Sequence, residues 1–371
     1  PCGTPAAAPA AAPAAEKNWL ALTECQTLQP FLQADEAHLR RLCVVSDYVV
    51  TQLCRHPDDL MPWLMRQGGE PLDLDECRRV LRDSLQSCNS EEELHRALRQ
   101  FRRRHQCRLI WRDLVLRTGY QSTVSELSAL ADLLIDEALT WCYHLLCGQY
   151  GVPRDARGQA QPLIVLGMGK LGAAELNLSS DIDLIFAFPD KGETDGRRCI
   201  ENQAFFIRLG QKLIAALDKH TADGFVFRVD MRLRPYGSSG ALALSFAAME
   251  EYYEDQGRDW ERYAFIKARP VAGDKAQGED LLQRLQAFVY RKYIDFGAIE
   301  ALRNMKEMIQ REVLRKGLEN NIKLGAGGIR EVEFIVQAFQ LVRGGREPKL
   351  QERGLLRALQ RLDELGLLPT A

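Results

Sequence analysis

Two aspartates, Asp181 and Asp183, stand two residues apart at the start of an apolar segment, residues 182–188 with the sequence I-D-L-I-F-A-F. Aspartate is rare in β-strands, and side chains at positions i and i+2 of a strand lie on one face, roughly 6.5–7 Å apart along the backbone. Because the flanking residues are apolar, we expect a central strand whose charged end protrudes from a buried sheet. Carboxylates that converge in this way can share divalent cations, whereas a D-x-D on an open surface would only be solvated.

A third acid, Asp230, lies in residues 225–234, F-V-F-R-V-D-M-R-L-R, where apolar and polar residues alternate. A period of two predicts a strand over the whole segment, with one core face and one polar face. If this strand neighbours the first, the three aspartates face one cleft, where two Mg²⁺ ions could act on a phosphoryl group. The polar face also carries arginines, which suit phosphate binding or, alternatively, ion pairs with the aspartates: Arg228, Arg232 and Arg234.

Residues 167–172 read G-M-G-K-L-G and follow an apolar run at 162–167 that predicts a buried strand. The pattern G-x-G-x-x-G invites a dinucleotide-binding interpretation, but that fold needs a full helix after the glycines and an acid about 20 residues on. We reject it because the next strand begins at Ile182, which leaves too little chain for the helix. The N–H groups of the glycine turn could instead cradle phosphates beside Lys170; an ordinary tight turn is the alternative.

A second glycine-rich segment, residues 325–334 with the sequence G-A-G-G-I-R-E-V-E-F, leads into an apolar helix that carries Glu331 and Glu333. Buried glutamates are costly unless they are paired. They could pair with Arg330, line the cleft behind the metal ligands, or stabilise a helix N-terminus, and we favour the last. The six histidines are dispersed, so we expect neither a Ser-His-Asp nor a Cys-His device.

These patterns define a candidate site. The predicted catalytic and metal-holding residues are Asp181, Asp183 and Asp230. The predicted phosphate- or substrate-binding residues are Gly167, Gly169, Lys170, Gly172, Ser180, Arg228, Arg232 and Arg234.

Overall composition limits the classes of partner. The 371 residues carry 49 lysines and arginines against 51 aspartates and glutamates, a net charge of −2, so no positive field attracts nucleic acid. The apolar fraction of 46% is enough for a core and excludes global disorder. No apolar run approaches the roughly 18 residues that span a bilayer, and the first 15 residues do not have the pattern of a signal peptide. Ten scattered cysteines without a C-x-x-C pair favour a reduced, cytoplasmic compartment.

Composition also divides the chain into four regions. Residues 1–15 are rich in alanine and proline and predict a disordered tail. Residues 16–150 are rich in leucine and arginine and predict helices. Short apolar runs predict an α/β core over residues 151–275, and residues 276–371 again predict helices.

Two helices have distinctive faces. Apolar residues at helical spacing predict an amphipathic helix over residues 200–218. Arginines recur along residues 91–117 together with several acids, and we favour a solvated helix face over an anion-binding face there.

Four motifs in order resemble a known family: G-M-G-K-L-G-A-A-E-L-N-L-S-S-D-I-D-L, V-D-M-R-L-R-P-Y-G-S-S-G, Q-G-R-D-W-E-R-Y-A-F-I-K-A-R and K-L-G-A-G-G-I-R-E-V-E-F-I-V-Q. They are similar to motifs of the bifunctional glutamine synthetase adenylyltransferase/adenylyl-removing enzymes, over residues 160–350. The resemblance implies an α+β, mostly helical fold with a nucleotidyltransferase core like that of DNA polymerase beta, flanked by helical regions. It also implies that Asp181, Asp183 and Asp230 hold Mg²⁺, or Mn²⁺ in its place.

Members of this family are longer than this chain and contain two related nucleotidyltransferase halves. The motifs look like the N-terminal half, which removes AMP from glutamine synthetase. The resemblance therefore implies that inorganic phosphate attacks an adenylyl-tyrosine and releases ADP and free tyrosine, with Arg232 or Arg234 holding the phosphate. The implied partners are glutamine synthetase, a P-II signalling protein, inorganic phosphate and ADP or ATP. Two alternatives remain open, namely forward adenylyl transfer from ATP and a non-catalytic module that binds a P-II-type protein.

Two adjacent positions depart from the family pattern. Ala173 and Ala174 stand where relatives often carry glycines. The departure leaves the aspartates intact, but it weakens the case for a close approach of phosphate at this turn.

Overall fold

The structure is a computed structural model that describes residues 11–292, 296–315, 317, 321, 323, 325 and 327–368. The chain forms two compact units. Unit 1 contains the described residues up to Leu134 together with Asn177–Ser179 and Thr221–Val226, and unit 2 contains Ile135–Leu176, Ser180–His220 and the described residues from Phe227 onward. The fold is α+β and mostly helical, as predicted, with a small mixed sheet. Among the described residues, no helix combines the length and apolar character needed to cross a bilayer.

Unit 1 is built from helices around a leucine-rich core. Its helices are α1 (Ala11–Glu24), α2 (Gln29–Ala34), α3 (Glu36–Val45), α4 (Asp47–Arg55), α5 (Pro57–Gln67), α6 (Leu74–Gln86), α7 (Glu91–Ile110) and the first half of α8 (Tyr120–Tyr150). Apolar residues at helical spacing, among them Leu42, Leu53 and Leu64, are buried together in this core.

The first helix overlaps the predicted tail. Helix α1 begins at Ala11, within the region predicted to be disordered through residue 15, whereas residues 1–10 lie outside the described residues. Alanine has the highest intrinsic helix propensity, and Pro13 stands in the first helical turn, where a backbone N–H has no intrahelical acceptor in any case. The prediction of disorder is therefore wrong for residues 11–15. It rested on the number of prolines and did not consider that a proline in the first turn of a helix is tolerated.

The arginines of α7 also differ from the prediction. Arg99 and Arg108 are only 1% and 2% exposed, and Arg112 in the following turn is buried as well. Arg112 Nη1 donates to the Gly69 carbonyl at 2.6 Å, and Glu126 pairs with Arg108 at 2.6 Å and with Arg112 at 3.1 Å. A guanidinium group has five donors and can satisfy several loop carbonyls at once. The predicted solvated face is therefore wrong for these three arginines, because composition does not reveal carbonyl acceptors.

Unit 2 contains the sheets. Its strands are β1 (Pro153–Asp155), β2 (Ile164–Gly167), β3 (Ile182–Phe188), β4 (Gly192–Thr194), β5 (Val229–Asp230), β6 (Ala243–Ser245) and β7 (Arg269–Ala272). Strand β2 pairs antiparallel with β3 and β7, β3 pairs parallel with β5 and β6, and β1 pairs antiparallel with β4. The runs predicted as buried strands at 162–167 and 182–188 are confirmed as β2 and β3. Apart from Asp183, both strands are continuous apolar runs, because both of their faces are buried.

Unit 2 also contains the remaining helices. They are α9 (Gly169–Gly172), α10 (Asn202–Asp218), α11 (Phe246–Asp255), α12 (Asp259–Phe265), α13 (Lys275–Arg284), α14 (Gln286–Val289), α15 (Phe296–Arg315), α16 (Ile329–Arg343) and α17 (Leu355–Glu364), with the second half of α8 in the same unit. Helix α10 confirms the amphipathic helix predicted over 200–218, and its Phe206 stacks on Phe188 of β3 with ring centroids 4.7 Å apart. Met249 and Phe265 pack in the core cluster that contains Ile164 and Ile185.

The strand predicted over 225–234 is wrong outside β5, which pairs with β3 at two residues only. Val226 and Phe227 are both buried, so the predicted alternation of buried and exposed side chains is not kept. After β5 the chain turns, because the Asp230 carboxylate accepts the backbone N–H of Arg232 at 2.8 Å. An aspartate that binds the backbone two residues on favours a turn over an extended strand.

The compact units do not follow the four sequence regions. The unit boundary at 134/135 falls inside α8, ahead of the predicted boundary at 150/151, and the described helices beyond residue 275 belong to unit 2 with the sheet. Two short segments, Asn177–Ser179 and Thr221–Val226, belong to unit 1 although their neighbours in sequence belong to unit 2. Composition indicates which element a segment forms, but not which core it joins.

Candidate active site

The three predicted aspartates come from neighbouring strands of unit 2. Strands β3 and β5 run parallel with Asp183 opposite Asp230, and the N–H of Ile182 donates to the Arg228 carbonyl at 2.9 Å. Asp181 lies two residues before Asp183, directly ahead of β3. Neighbouring strands lie about 4.8 Å apart. The expected adjacency of the two acid-bearing strands is therefore confirmed, over this two-residue ladder.

Asp183 is the most buried of the three carboxyl groups. Burial raises its pKa to about 6, and the negative charges of Asp230 and Asp181 add to the rise. Burial and like charges both disfavour the ionised form of a carboxyl group. The site thus concentrates negative charge at a position where water screens it poorly.

Two arginines bind two of these aspartates. The Arg228 Nε group donates to Asp181, and Arg232 Nε donates to Asp230 Oδ2 at 2.9 Å. The hydrogen bond from Arg232 lowers the pKa of Asp230. Of the two alternatives for these arginines, phosphate binding or ion pairs with the aspartates, the structure has the ion pairs. Within the described part of the chain, no three His, Cys, Asp or Glu side chains are grouped so that they would hold a metal ion.

The third arginine of the segment supports a turn. Arg234 Nη1 donates to the Met231 carbonyl at 2.8 Å, Nη2 to the Ser238 carbonyl at 3.1 Å and Nε to the Gly240 carbonyl at 3.3 Å. Such a guanidinium group holds the shape of residues 231–240. Arg234 was predicted to bind phosphate, but its contacts indicate a structural role in this turn.

The glycine segment lies against Asp183. The Met168 N–H donates to the Asp183 carbonyl at 2.9 Å, and Gly169 has a φ of +53°. A Cβ atom at Gly169 would lie 3.0 Å from Asp183 Oδ2, so glycine keeps this backbone close to the carboxylate. Gly167 and Gly172 instead permit packing, since a Cβ would meet Val271 Cγ1 at 2.6 Å and the Lys267 carbonyl at 1.9 Å respectively.

Two further predicted residues flank the aspartates. Ser180, which is partly exposed, directly precedes Asp181. Lys170 follows Gly169 in the short helix α9, and burial together with the positive charge of Lys323 lowers its pKa. A lysine in this setting loses its proton more readily than one in water.

With this geometry in view, comparison with known proteins gives the family. Residues 36–284 match the profile of the glutamate-ammonia ligase adenylyltransferase family. The chain belongs to this family. Residues 303–371 also match a profile described as PII-uridylyltransferase.

The family contains close relatives of this chain in Hahella chejuensis, Pseudomonas putida and Pseudomonas syringae, each named bifunctional glutamine synthetase adenylyltransferase/adenylyl-removing enzyme. They are 60%, 62% and 55% identical over 89%, 93% and 99% of this chain. The matched parts make up 35%, 36% and 38% of the relatives, so this chain spans about a third of their length.

The two glutamates predicted behind the site have different surroundings in this adenylyltransferase-family chain. Glu331, in the first turn of α16, accepts the Gly327 N–H at 2.8 Å and pairs with Lys306 at 3.1 Å, and the hydrogen bond from Gly327 lowers its pKa. Stabilisation of a helix N-terminus, the favoured alternative, is what this contact provides. Glu333 is instead paired with Lys267.

Lys267 and Glu175 were missed by the sequence reasoning. The Lys267 side chain is 5% exposed, and its Nζ pairs with Glu333 and lies 3.7 Å from Glu175 Oε2. Glu175 also accepts the N–H of Leu355, the first residue of α17, at 2.7 Å. A lysine inside the otherwise apolar run A-F-I-K-A was the available signal, because a buried ammonium group requires partners.

Proposed function

We propose that this chain is the N-terminal, adenylyl-removing half of a bifunctional glutamine synthetase adenylyltransferase, with a nucleotidyltransferase core of the DNA polymerase beta type. One observation supports it above all: the parallel register that sets Asp183 beside Asp230, with Asp181 at the entry to the same strand. The names of the relatives and the order of the motifs agree with this assignment.

The donor set suits Mg²⁺, or Mn²⁺ in its place. Hard divalent cations prefer carboxylate oxygens, and the pKa of Asp183 is raised first by burial and then by the negative charges of Asp230 and Asp181, charges that a bound cation would offset. Asp181, Asp183 and Asp230 would hold the metal once Arg228 and Arg232 leave their carboxylates. When bound, the cations neutralise charge that develops on the transferred phosphoryl group.

The displaced arginines then have a role. Arg232 is 82% exposed at its side chain, and Arg228 is half-exposed, so both can turn towards solvent without disturbing a core. Their guanidinium groups bind inorganic phosphate and orient it for attack. Binding of cation and binding of phosphate are thereby coupled through the same two side chains.

The reaction is phosphorolysis of the AMP–tyrosine diester on glutamine synthetase. An oxygen of inorganic phosphate forms a bond to the adenylyl phosphorus, and the bond from phosphorus to the tyrosyl oxygen breaks. The products are ADP and tyrosine, whose phenolate takes up a proton from solvent. A phenol has a pKa near 10, so it leaves without a strong general acid.

Asp183→Asn and Asp181→Asn test the assignment. We expect phosphate-dependent release of ADP from adenylylated glutamine synthetase to fall at least about 100-fold in each variant, because the charge that holds the cation is reduced. Asp280→Asn is the matched control, since Asp280 is exposed on α13 and pairs only locally with Arg284 at 2.7 Å. Turnover near that of the wild type in Asp183→Asn would rule out the proposed site.

The direction of the reaction needs its own assay. A nucleotidyltransferase site serves both directions, so ATP with unmodified glutamine synthetase tests forward adenylyl transfer. Incorporation of AMP faster than its phosphorolytic removal would favour the transferase half instead. A P-II signalling protein as regulator and a cytoplasmic location complete the proposal.

A further inference from the structure

The loop between α10 and β5 is held by arginines of α7. Within unit 1, Arg99 Nε donates to the Gly224 carbonyl at 2.9 Å, and Arg103 Nη1 pairs with Asp223 Oδ1 at 3.3 Å. The guanidinium group of Arg102 also lies over the Phe225 ring, 5.5 Å from its centroid. Three successive loop residues thus contact one helix.

The contact with Arg99 is fixed by its burial. Arg99 is 1% exposed, and Nη1 donates to the His95 carbonyl at 2.8 Å while Nε reaches the loop. A buried guanidinium group is costly unless its donors are satisfied. Displacement of Gly224 would break the hydrogen bond from Arg99 Nε, so this buried contact opposes movement of the loop.

Asp230 follows this loop closely in the chain. Between Val226 and Asp230 only three residues intervene, and β5 contributes only two residues of ladder. So short a ladder fixes its register weakly, and a slip by one residue would turn Asp230 to the opposite face. The register that places Asp230 beside Asp183 therefore needs support from outside the strand pair.

The segment that leads into Asp181 is likewise held by residues of unit 1. Asn177–Ser179 belongs to unit 1 and immediately precedes Ser180 and Asp181. Leu178 packs against the unit 1 core, and the Tyr120 hydroxyl donates to Asn177 Oδ1 at 3.4 Å. Both chain segments that lead into the aspartates are therefore anchored among the helices of unit 1.

We propose that Arg99 and Arg103 of α7 are positioning residues for Asp230: they fix residues 221–226 and thereby the register of β5 on β3. The inference rests on the proposed function, in which Asp230 holds the cation. It assigns to the arginine-rich helix a part in the site although neither arginine touches the aspartates.

Arg103→Ala tests the proposal, with Arg104→Ala as matched control. Arg104 is the next residue of the same helix, but its partner is Asp59 of α5, outside the loop. Amide hydrogen exchange of the whole chain, without metal or substrate, should be about fivefold faster over residues 227–232 in Arg103→Ala and unchanged there in Arg104→Ala. Equal exchange in the two variants would overturn the proposal.

A charge swap separates positioning from a general loss of stability. The double variant Arg103→Asp/Asp223→Arg re-forms the ion pair with reversed polarity and should restore slow exchange over 227–232. Arg103→Ala should also raise the Mg²⁺ concentration for half-maximal turnover severalfold. If the double variant exchanges as fast as Arg103→Asp alone, the pair is not the anchor. If the wild type shows no phosphorolysis, the proposed function fails, whereas the exchange data still decide the role of Arg103.

Discussion

At the scale of the residue, Ala174 occupies a costly conformation. Its φ is +58°, in the left-handed region, whereas Ala173 beside it has an ordinary helical φ of −75°. A side chain with a Cβ atom costs about 1 kcal/mol in the left-handed region relative to glycine. Of these two adjacent positions, only the second therefore favours glycine.

Ala174→Gly should therefore raise the free energy of unfolding by up to about 1 kcal/mol, less the entropy that glycine adds to the unfolded chain. The control Ala173→Gly should lower it by about 0.5–1 kcal/mol, because no strain is relieved there. Denaturant unfolding measures both changes. A destabilised Ala174→Gly would mean that the Ala174 methyl group contributes packing that outweighs the strain.

At this scale the sequence was informative about the aspartates and less so about the arginines. Asp181 and Asp183 were predictable because a charged pair inside an apolar run has few structural explanations. Arg234 and Arg99 were not, because their partners are backbone carbonyls. Every residue has a backbone carbonyl, so the sequence does not indicate which carbonyl accepts a hydrogen bond from an arginine.

At the scale of the element, the glycine segment packs closely against Lys267 and against Arg269, the first residue of β7. Arg269 Nη2 donates to the Leu171 carbonyl at 3.0 Å and its Nε to the Gly172 carbonyl at 3.2 Å. Gly172→Ala should destabilise the protein by more than about 2 kcal/mol, since the new Cβ would lie 1.9 Å from the Lys267 carbonyl, a backbone atom with little freedom to move.

Gly148→Ala is the control for that substitution. Gly148 lies in α8 with no atom within 4 Å of an added Cβ. Alanine there should stabilise the helix by about 0.5–1 kcal/mol. Denaturant unfolding of both variants separates the clash at Gly172 from the general effect of losing a glycine, and equal stability of the two would contradict the close approach.

The Lys267 ion-pair cluster joins the segment after α9 to α16. Lys267→Met should lower the free energy of unfolding by about 2 kcal/mol, because Glu175 and Glu333 lose their shared cation while remaining largely shielded from water. Adding Glu333→Gln should recover part of the loss, since it removes one of the two like charges. Additive losses in the double variant, measured by denaturant unfolding, would show that the groups do not interact.

Elements were predictable where burial dictates the pattern. Strands β2 and β3 have continuous apolar runs and α10 has a helical apolar period, and all three were found. The alternation over 225–234 was misleading, because the Asp230 side chain closes a turn on the Arg232 N–H after two strand residues. Local hydrogen bonding of an aspartate overrode the period of two.

At the scale of the whole molecule, acid should weaken unit 1 through His105. Burial, with the positive charges of Arg108 and Arg104, lowers the pKa of His105 to about 3. Its ring packs between Trp63 and Phe101, with centroids 5.4 and 4.4 Å away. The folded state therefore keeps His105 neutral at a pH where the unfolded chain binds a proton.

The unfolded His105 titrates near 6.5, so the stability that this residue contributes is complete above pH 6.5 and is lost as the pH falls towards 3. The slope should not exceed about 1.4 kcal/mol per pH unit. Denaturant unfolding between pH 7 and pH 4, followed by tryptophan fluorescence, measures it. In His105→Leu the slope should be smaller than in the wild type, and an unchanged slope would show that other groups carry the acid sensitivity.

The arrangement of the units could not be read from composition. Helical content beside an α/β region was correctly expected, but the assignment of Asn177–Ser179 and Thr221–Val226 to unit 1 depends on contacts with helices more than fifty residues away. Sequence patterns of period two or 3.6 report local burial and carry no information about such distant partners.

The chain passes from one unit to the other several times, and this limits how the protein can be divided into fragments. Because Thr221–Val226 belongs to unit 1 but is flanked in sequence by segments of unit 2, no single cleavage of the polypeptide releases either unit whole. A fragment that stops at Leu134 would lack the Gly224 carbonyl that accepts the Nε–H of the buried Arg99. Truncation mapping would then report misfolding in place of lost activity, and the two units have to be synthesised and refolded as one polypeptide.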